Sequence, residues 1–109
     1  DKMVAPSASL PHGESELAIT GLSAAKSVSV MAPRIAEAPV SFECREWATL
    51  EIGSNRMVVG TVHHAHIRDG ILDPDTLHLQ PEMFLPVGRM AAPDWYCRTS
   101  NQYEIKRPE

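Results

Sequence analysis

Hydrophobic and polar positions alternate most regularly between Val40 and Ile67. In the segment VSFECREWATLEI, Val40, Phe42 and Cys44 fall on one face while Ser41, Glu43 and Arg45 fall on the other, because successive side chains of a strand point to opposite sides. The alternation slips at Glu46-Trp47. Beyond that point Ala48, Leu50 and Ile52 oppose Trp47, Thr49 and Glu51, which predicts a β-bulge. Gly53-Ser54-Asn55 is a turn signal, and residues 57–67 are Val-rich and free of proline, as a central strand requires. Residues 40–52 and 56–68 are therefore expected to form a long antiparallel hairpin.

The flanking segments are less regular. Pro6, Ser7, Ser9, Pro11 and Gly13 give residues 1–13 the character of a loop. Glu14 and Glu16 suit the positive end of a helix dipole and Gly21 a helix stop, so a short helix is predicted over 14–20. Residues 26–31, KSVSVM, alternate Val with Ser and predict a half-buried strand with Ser27 and Ser29 facing solvent. Pro33 and Pro39 bracket an irregular link. Asp69-Gly70 is a turn signal, Asp73-Pro74-Asp75 predicts one helical turn over 74–79, and Pro81 and Pro86 predict irregular chain after it. Residues 95–98 and 103–106 read as short closing strands. Long strands, few helices and proline-marked corners point to a mainly all-β fold, with a barrel favoured over a sandwich.

Composition narrows the function. The chain has 109 residues, 43% of them apolar, and a formal net charge of −4. It is expected to form one domain, with no basic footprint for nucleic acid. No apolar run approaches the roughly 20 residues that span a bilayer, so no membrane association is expected. Cys44 and Cys97 sit in no CxxC pair. With no secretory signal pattern, they read as reduced thiols of a cytoplasmic protein. The opening Asp1-Lys2-Met3 predicts a processed or truncated start.

The densest chemistry lies at His63, His64 and His66. On a strand, His64 and His66 share a face and His63 takes the other, so the three cannot converge on one ion. A two-histidine metal site at His64 and His66, with Asp69 close behind, stays open. The cupin pattern needs a further histidine after a second motif; none follows Leu85-Pro86-Val87-Gly88, and His78 precedes it. Glu43 and Glu46 fall on opposite faces and are expected to be solvated rather than an acid/base pair. The chain contains no GxSxG elbow, GxGxxG turn or P-loop. Residues 86–99 gather Gly88, Arg89, Trp95, Tyr96 and Arg98. An arginine can hold a phosphate or carboxylate, and an aromatic ring can cover a flat heterocycle. The same residues equally allow Trp95 and Tyr96 to close a barrel with the arginines exposed.

Taken in order, these segments resemble a known family. Ser7-Ala8, Gly13-Glu14-Ser15-Glu16-Leu17 and Gly21-Leu22 come first, then Ala38-Pro39-Val40-Ser41-Phe42-Glu43-Cys44-Arg45. Gly60-Thr61-Val62 with Ala65-His66-Ile67 follow, then Pro86-Val87-Gly88-Arg89 with Trp95-Tyr96. The succession resembles the C-terminal half of the flavin reductase-like, FMN-binding split-barrel family, across nearly the whole chain. The resemblance implies that residues 1–109 are the C-terminal part of a six-stranded split β-barrel with one or two short helices. It implies FMN as cofactor, NAD(P)H as a co-substrate, and hydride transfer between nicotinamide and flavin with no protein nucleophile. It places His66 toward the flavin, Tyr96 and Arg89 in a segment closing over the pocket, and Ser7 and Ser9 in a loop near the cofactor. Glu16 stands where some relatives carry a lysine near the flavin. In the family, the first strands and most groups gripping the ribityl-phosphate precede the segment matched here. The implied partners are therefore the N-terminal half of the same domain as a separate chain, and a second copy in a homodimer of the assembled domain. Two rivals stay open: a non-catalytic β-barrel binding or structural module, and a metal-dependent β-barrel enzyme.

Overall fold

The computed structural model describes residue 11 and residues 15–108, so Ser7, Ser9 and the predicted first helical residue Glu14 lie outside the described residues. The chain divides into two compact units, Asp1–His66 and Ile67–Glu109.

In the first unit, helix α1 spans Glu16–Thr20, with Ser15 extended at its N-cap. Thr20 Oγ1 donates to the Leu17 carbonyl at 2.9 Å and accepts from the Leu22 N–H at 3.3 Å. Gly21 ends the helix at φ 64°, a left-handed conformation that costs glycine little. Strands β1 (Ala24–Ala25) and β2 (Arg34–Ile35) pair antiparallel, Ala24 with Ile35 and Ala25 with Arg34. The Glu37 carboxylate, accepting from the Ser23 N–H at 3.0 Å on both oxygens, fastens their open end.

The strand predicted over 26–31 does not form. Residues 28–32 are a bend between β1 and β2. The backbone N–H groups of Val28 and Ser29 donate to the side chain of Glu43, which removes them from any ladder. The long hairpin forms as expected: β3 covers Val40–Ile52, β4 covers Asn55–Ile67, and the two pair. Gly53 takes φ 59° while Ser54 does not take positive φ, the pattern of a two-residue turn with glycine first. Strand β2 packs against β3.

In the second unit, Leu72 and Leu79 form an isolated antiparallel bridge around a turn built on Asp73. A 3-10 turn follows at Pro81–Met83. Residues after Pro86 were expected to be irregular, yet β5 spans Val87–Ala91 and pairs antiparallel with β6, Trp95–Arg98. The register passes from Arg89–Tyr96 to Ala91–Trp95, so Met90 is the extra residue of a bulge. The closing strand expected at 103–106 is absent: residues 102–108 carry no regular structure. Among the described residues Ile71 is the fully buried large side chain, and Thr20 and Glu43 are the buried polar ones. No helix among them is long and apolar enough to cross a membrane.

Candidate functional site

The expectation that Glu43 is solvated is wrong. Glu43 is 3% exposed, and its carboxylate takes part in four hydrogen bonds. Its Oε1 accepts the Val28 N–H at 2.8 Å. Its Oε2 accepts the Ser29 N–H at 2.6 Å and the Ser29 hydroxyl at 2.7 Å. Ser29, expected to face solvent, is instead bound from both ends, because Arg45 donates to its carbonyl at 3.3 Å. Glu43 and Arg45 share the face of β3 that alternation assigns them, and together they clasp the 28–32 bend.

The fourth partner of Glu43 is His66 on β4, whose Nε2 lies 2.5 Å from Oε1. Burial pushes the Glu43 carboxyl pKa up, but hydrogen bonds from His66, from the Ser29 hydroxyl and from the Val28 and Ser29 N–H groups outweigh it. The net result holds the group well below the usual carboxylate range. An ionised carboxylate has no proton to give, so Nε2 of His66 is the donor. His66 is half-buried, with 22% of its side chain exposed. His64 lies on the same face, its ring centroid 4.6 Å from that of His66 and tilted by 58°. His63 takes the other direction, its Nε2 at 3.1 Å from Thr61 Oγ1. The described residues contain no group of three or more His, Cys, Asp or Glu arranged to hold a metal ion. Beside Glu43 a cavity of about 490 Å³ is lined by Ser27, Arg34, Ser41, Phe42 and Cys44 among others. Arg34 Nε is buried there with no hydrogen-bond partner among the described residues.

Arg89 and Tyr96 belong to the second unit and face each other across the β5–β6 hairpin. The guanidinium donates to the Tyr96 hydroxyl at 2.7 Å and to the Pro93 carbonyl at 2.6 Å. Its central carbon stands 4.9 Å from the centre of the Tyr96 ring. The arginine therefore braces the turn and fixes the tyrosine at once.

The sequence singles out His66, Arg89 and Tyr96 as candidates, and it gives no such prominence to Glu43 and Ser29, which the structure shows bonded to each other and, through Glu43, to His66. A signal for them existed: Ser27 and Ser29 sit in a segment closed off by Pro33, and an acid on β3 is a natural acceptor for such a loop.

A family model described as Flavin reductase like domain matches residues 1–87. The chain belongs to this family. A protein of Deinococcus radiodurans is 34% identical over 98 residues, covering 89% of this chain and 43% of that protein. One of Aquifex aeolicus is 29% identical over 106 residues, covering 97% and 53%. Among solved structures, the 2-nitrobenzoate 2-nitroreductase NbaA of Pseudomonas fluorescens superposes with a TM-score of 0.86 at 28% identity, over 98% of this chain and 53% of that one. Component B of nitrilotriacetate monooxygenase from Bacillus cereus gives 0.86 at 22% identity, over 95% and 53%, and shares the fold. Over about half the length of these structures, this flavin reductase-like chain shares their split-barrel fold, with regular structure mainly in strands and few helical residues. The chain spans about half the length of the relatives it matches.

Proposed function

We propose that this chain serves a flavin-dependent oxidoreductase, contributing part of an FMN site at which hydride passes between NAD(P)H and flavin. The observation that carries the reading is the family match over residues 1–87, which takes in both Glu43 and His66. The side chains on hand suit the ligand. His66 offers a ring nitrogen that can exchange a hydrogen bond with a polar heterocycle. Tyr96, about one-third exposed, offers a face for a flat ring. Arg89 holds Tyr96 in place and keeps further N–H groups for a phosphate oxygen. Ser7 and Ser9, outside the described residues, are the further candidates that the family resemblance implies. When bound, the flavin supplies the hydride-accepting ring. The protein's part is to bind and orient it, with no nucleophile of its own.

The same reading assigns the remaining barrel wall, and most of the grip on the ribityl-phosphate, to the N-terminal half of the domain as a separate chain, with the assembled domain forming a homodimer. Exposed apolar side chains on β3 and β4 support this. Adding FMN to the intact protein is expected to quench flavin fluorescence saturably, and His66→Ala to weaken binding about tenfold, the loss of one good hydrogen bond. FMN-dependent oxidation of NADH or NADPH is the matching activity. An intact protein that is colourless as isolated and takes up no added FMN overturns the proposal.

A further inference from the structure

Glu43 is a buried carboxylate that the flavin reading leaves without a role. Its two oxygens serve different ends. Oε2 holds Ser29 through N–H and hydroxyl. Oε1 divides between the Val28 N–H and Nε2 of His66. The histidine is thus tied through one nitrogen to a group that is itself fixed by three bonds to the 28–32 bend. In a neutral imidazole, a proton on one nitrogen makes the other an acceptor, so whichever group binds Nε2 also decides the character of Nδ1.

We propose that Glu43 is the positioning residue of His66: by taking Nε2–H it fixes the ring's tautomer and orientation, and presents Nδ1 to the flavin as the ligand-facing nitrogen. The bend 28–32 acts as the anchor that holds the carboxylate still. His64, whose ring lies 4.6 Å away, limits how far the His66 ring can swing. This inference rests on the proposed flavin site, and it assigns Glu43 an indirect part, with no contact to the ligand. Carboxylates that hold a histidine in one tautomer act in this way elsewhere, where geometry survives but function falls when the carboxylate is replaced by an amide.

The test is nitrogen-15 NMR of the histidine rings in the intact, flavin-free protein, joined to FMN titration. At a pH where His66 is neutral, the wild type is expected to carry its proton on Nε2. Glu43→Gln keeps the side chain's size and is expected to give a mixture of tautomers, with FMN affinity about tenfold weaker, as for one charge-assisted hydrogen bond. Ser29→Ala removes a donor from Oε2 and leaves Oε1 on the ring, so the tautomer is expected to persist. Should Glu43→Gln fail to fold, the wild-type tautomer and Ser29→Ala decide the matter. A wild-type ring protonated on Nδ1 overturns the proposal, and so does a Glu43→Gln ring that keeps the wild-type tautomer. The NMR result stands apart from flavin binding. A wild type that shows Nε2–H yet binds no FMN defeats the flavin half of the proposal together with the proposed function, while the hold of Glu43 on His66 is confirmed by the spectrum.

Discussion

Gly60, on β4, lies tight against β3. A Cβ placed there would lie 3.1 Å from Cys44 Cβ and 3.2 Å from the Arg45 carbonyl oxygen. Neither neighbour is a flexible chain end, so one strand must move. In the chain assembled with its proposed second half, Gly60→Ala is expected to destabilise by about 1–3 kcal/mol, the usual cost of overpacking, measured as a lower denaturant midpoint with an unchanged slope. A midpoint at or above that of wild type would show that the strands yield freely. The glycine sits six residues before His66 on β4 and beside Arg45, which helps clasp Ser29, so the variant also reports on how firmly the site is held. Single residues were also where the sequence misled. Alternation places Glu43 on the polar face of β3, as the structure has it, but that face is covered at Glu43 rather than solvated. A polar face can be covered by a loop whose own N–H groups need an acceptor, and strand periodicity carries no information about that loop.

At the scale of elements, the long hairpin was legible because both its strands and its turn obey local rules: alternation, absence of proline, and glycine at the one position with positive φ. The short elements were not. Residues 26–31 alternate like a strand, but their N–H groups are claimed by Glu43, fourteen or fifteen residues away in sequence. Residues 87–91 carry a glycine and follow a proline, yet they pair with 95–98 because Arg89 ties Tyr96 and Pro93 together. Such contacts lie beyond any local pattern. The turn after β4 is more self-contained. Asp73 Oδ1 accepts the Thr76 N–H at 2.8 Å, its hydroxyl at 2.9 Å and the Asp75 N–H at 3.0 Å. The Thr76 N–H and hydroxyl bonds lead in lowering its pKa, with Asp75 and His78 adding to them against a modest opposing effect of burial. Because the folded value lies below the unfolded one, the turn's stabilisation is present above the ordinary aspartate range and is lost as acid protonates Asp73 through its folded value. Asp73→Ala is therefore expected to lower stability near neutral pH and to flatten the acid limb of the pH–stability curve. An identical acid limb in the two proteins would mean that the turn does not depend on the charge.

At the scale of the whole molecule the decisive quantity is apolar surface left in water. Phe42, Trp47, Leu50, Ile52, Met57, Val58 and Val62 are all more than half exposed on β3 and β4. Met57 and Val58 are consecutive along β4 and so point to opposite faces, which leaves apolar groups on both faces of the ribbon. A two-stranded sheet is marginal in water and gains independence only from further strands or a packed layer. Contiguous apolar surface of this kind marks an interface. The matched relatives are about twice as long as this chain, and on the proposed reading a counterpart of the portion outside the match covers this surface. Residues 1–109 produced alone are accordingly expected to bind a hydrophobic dye, to self-associate on size exclusion, and to lack a cooperative unfolding transition. Co-production with a polypeptide corresponding to the other half of the relatives' length is expected to abolish dye binding and to restore cooperativity. The order of events separates this account from simple aggregation: the two pieces should elute together in equal amounts, and Trp47 fluorescence should shift to shorter wavelength as its ring leaves water. A 109-residue monomer that unfolds cooperatively and ignores the dye would mean that the ribbon is stable with its apolar faces bare, and the need for a second half-barrel would fall with it.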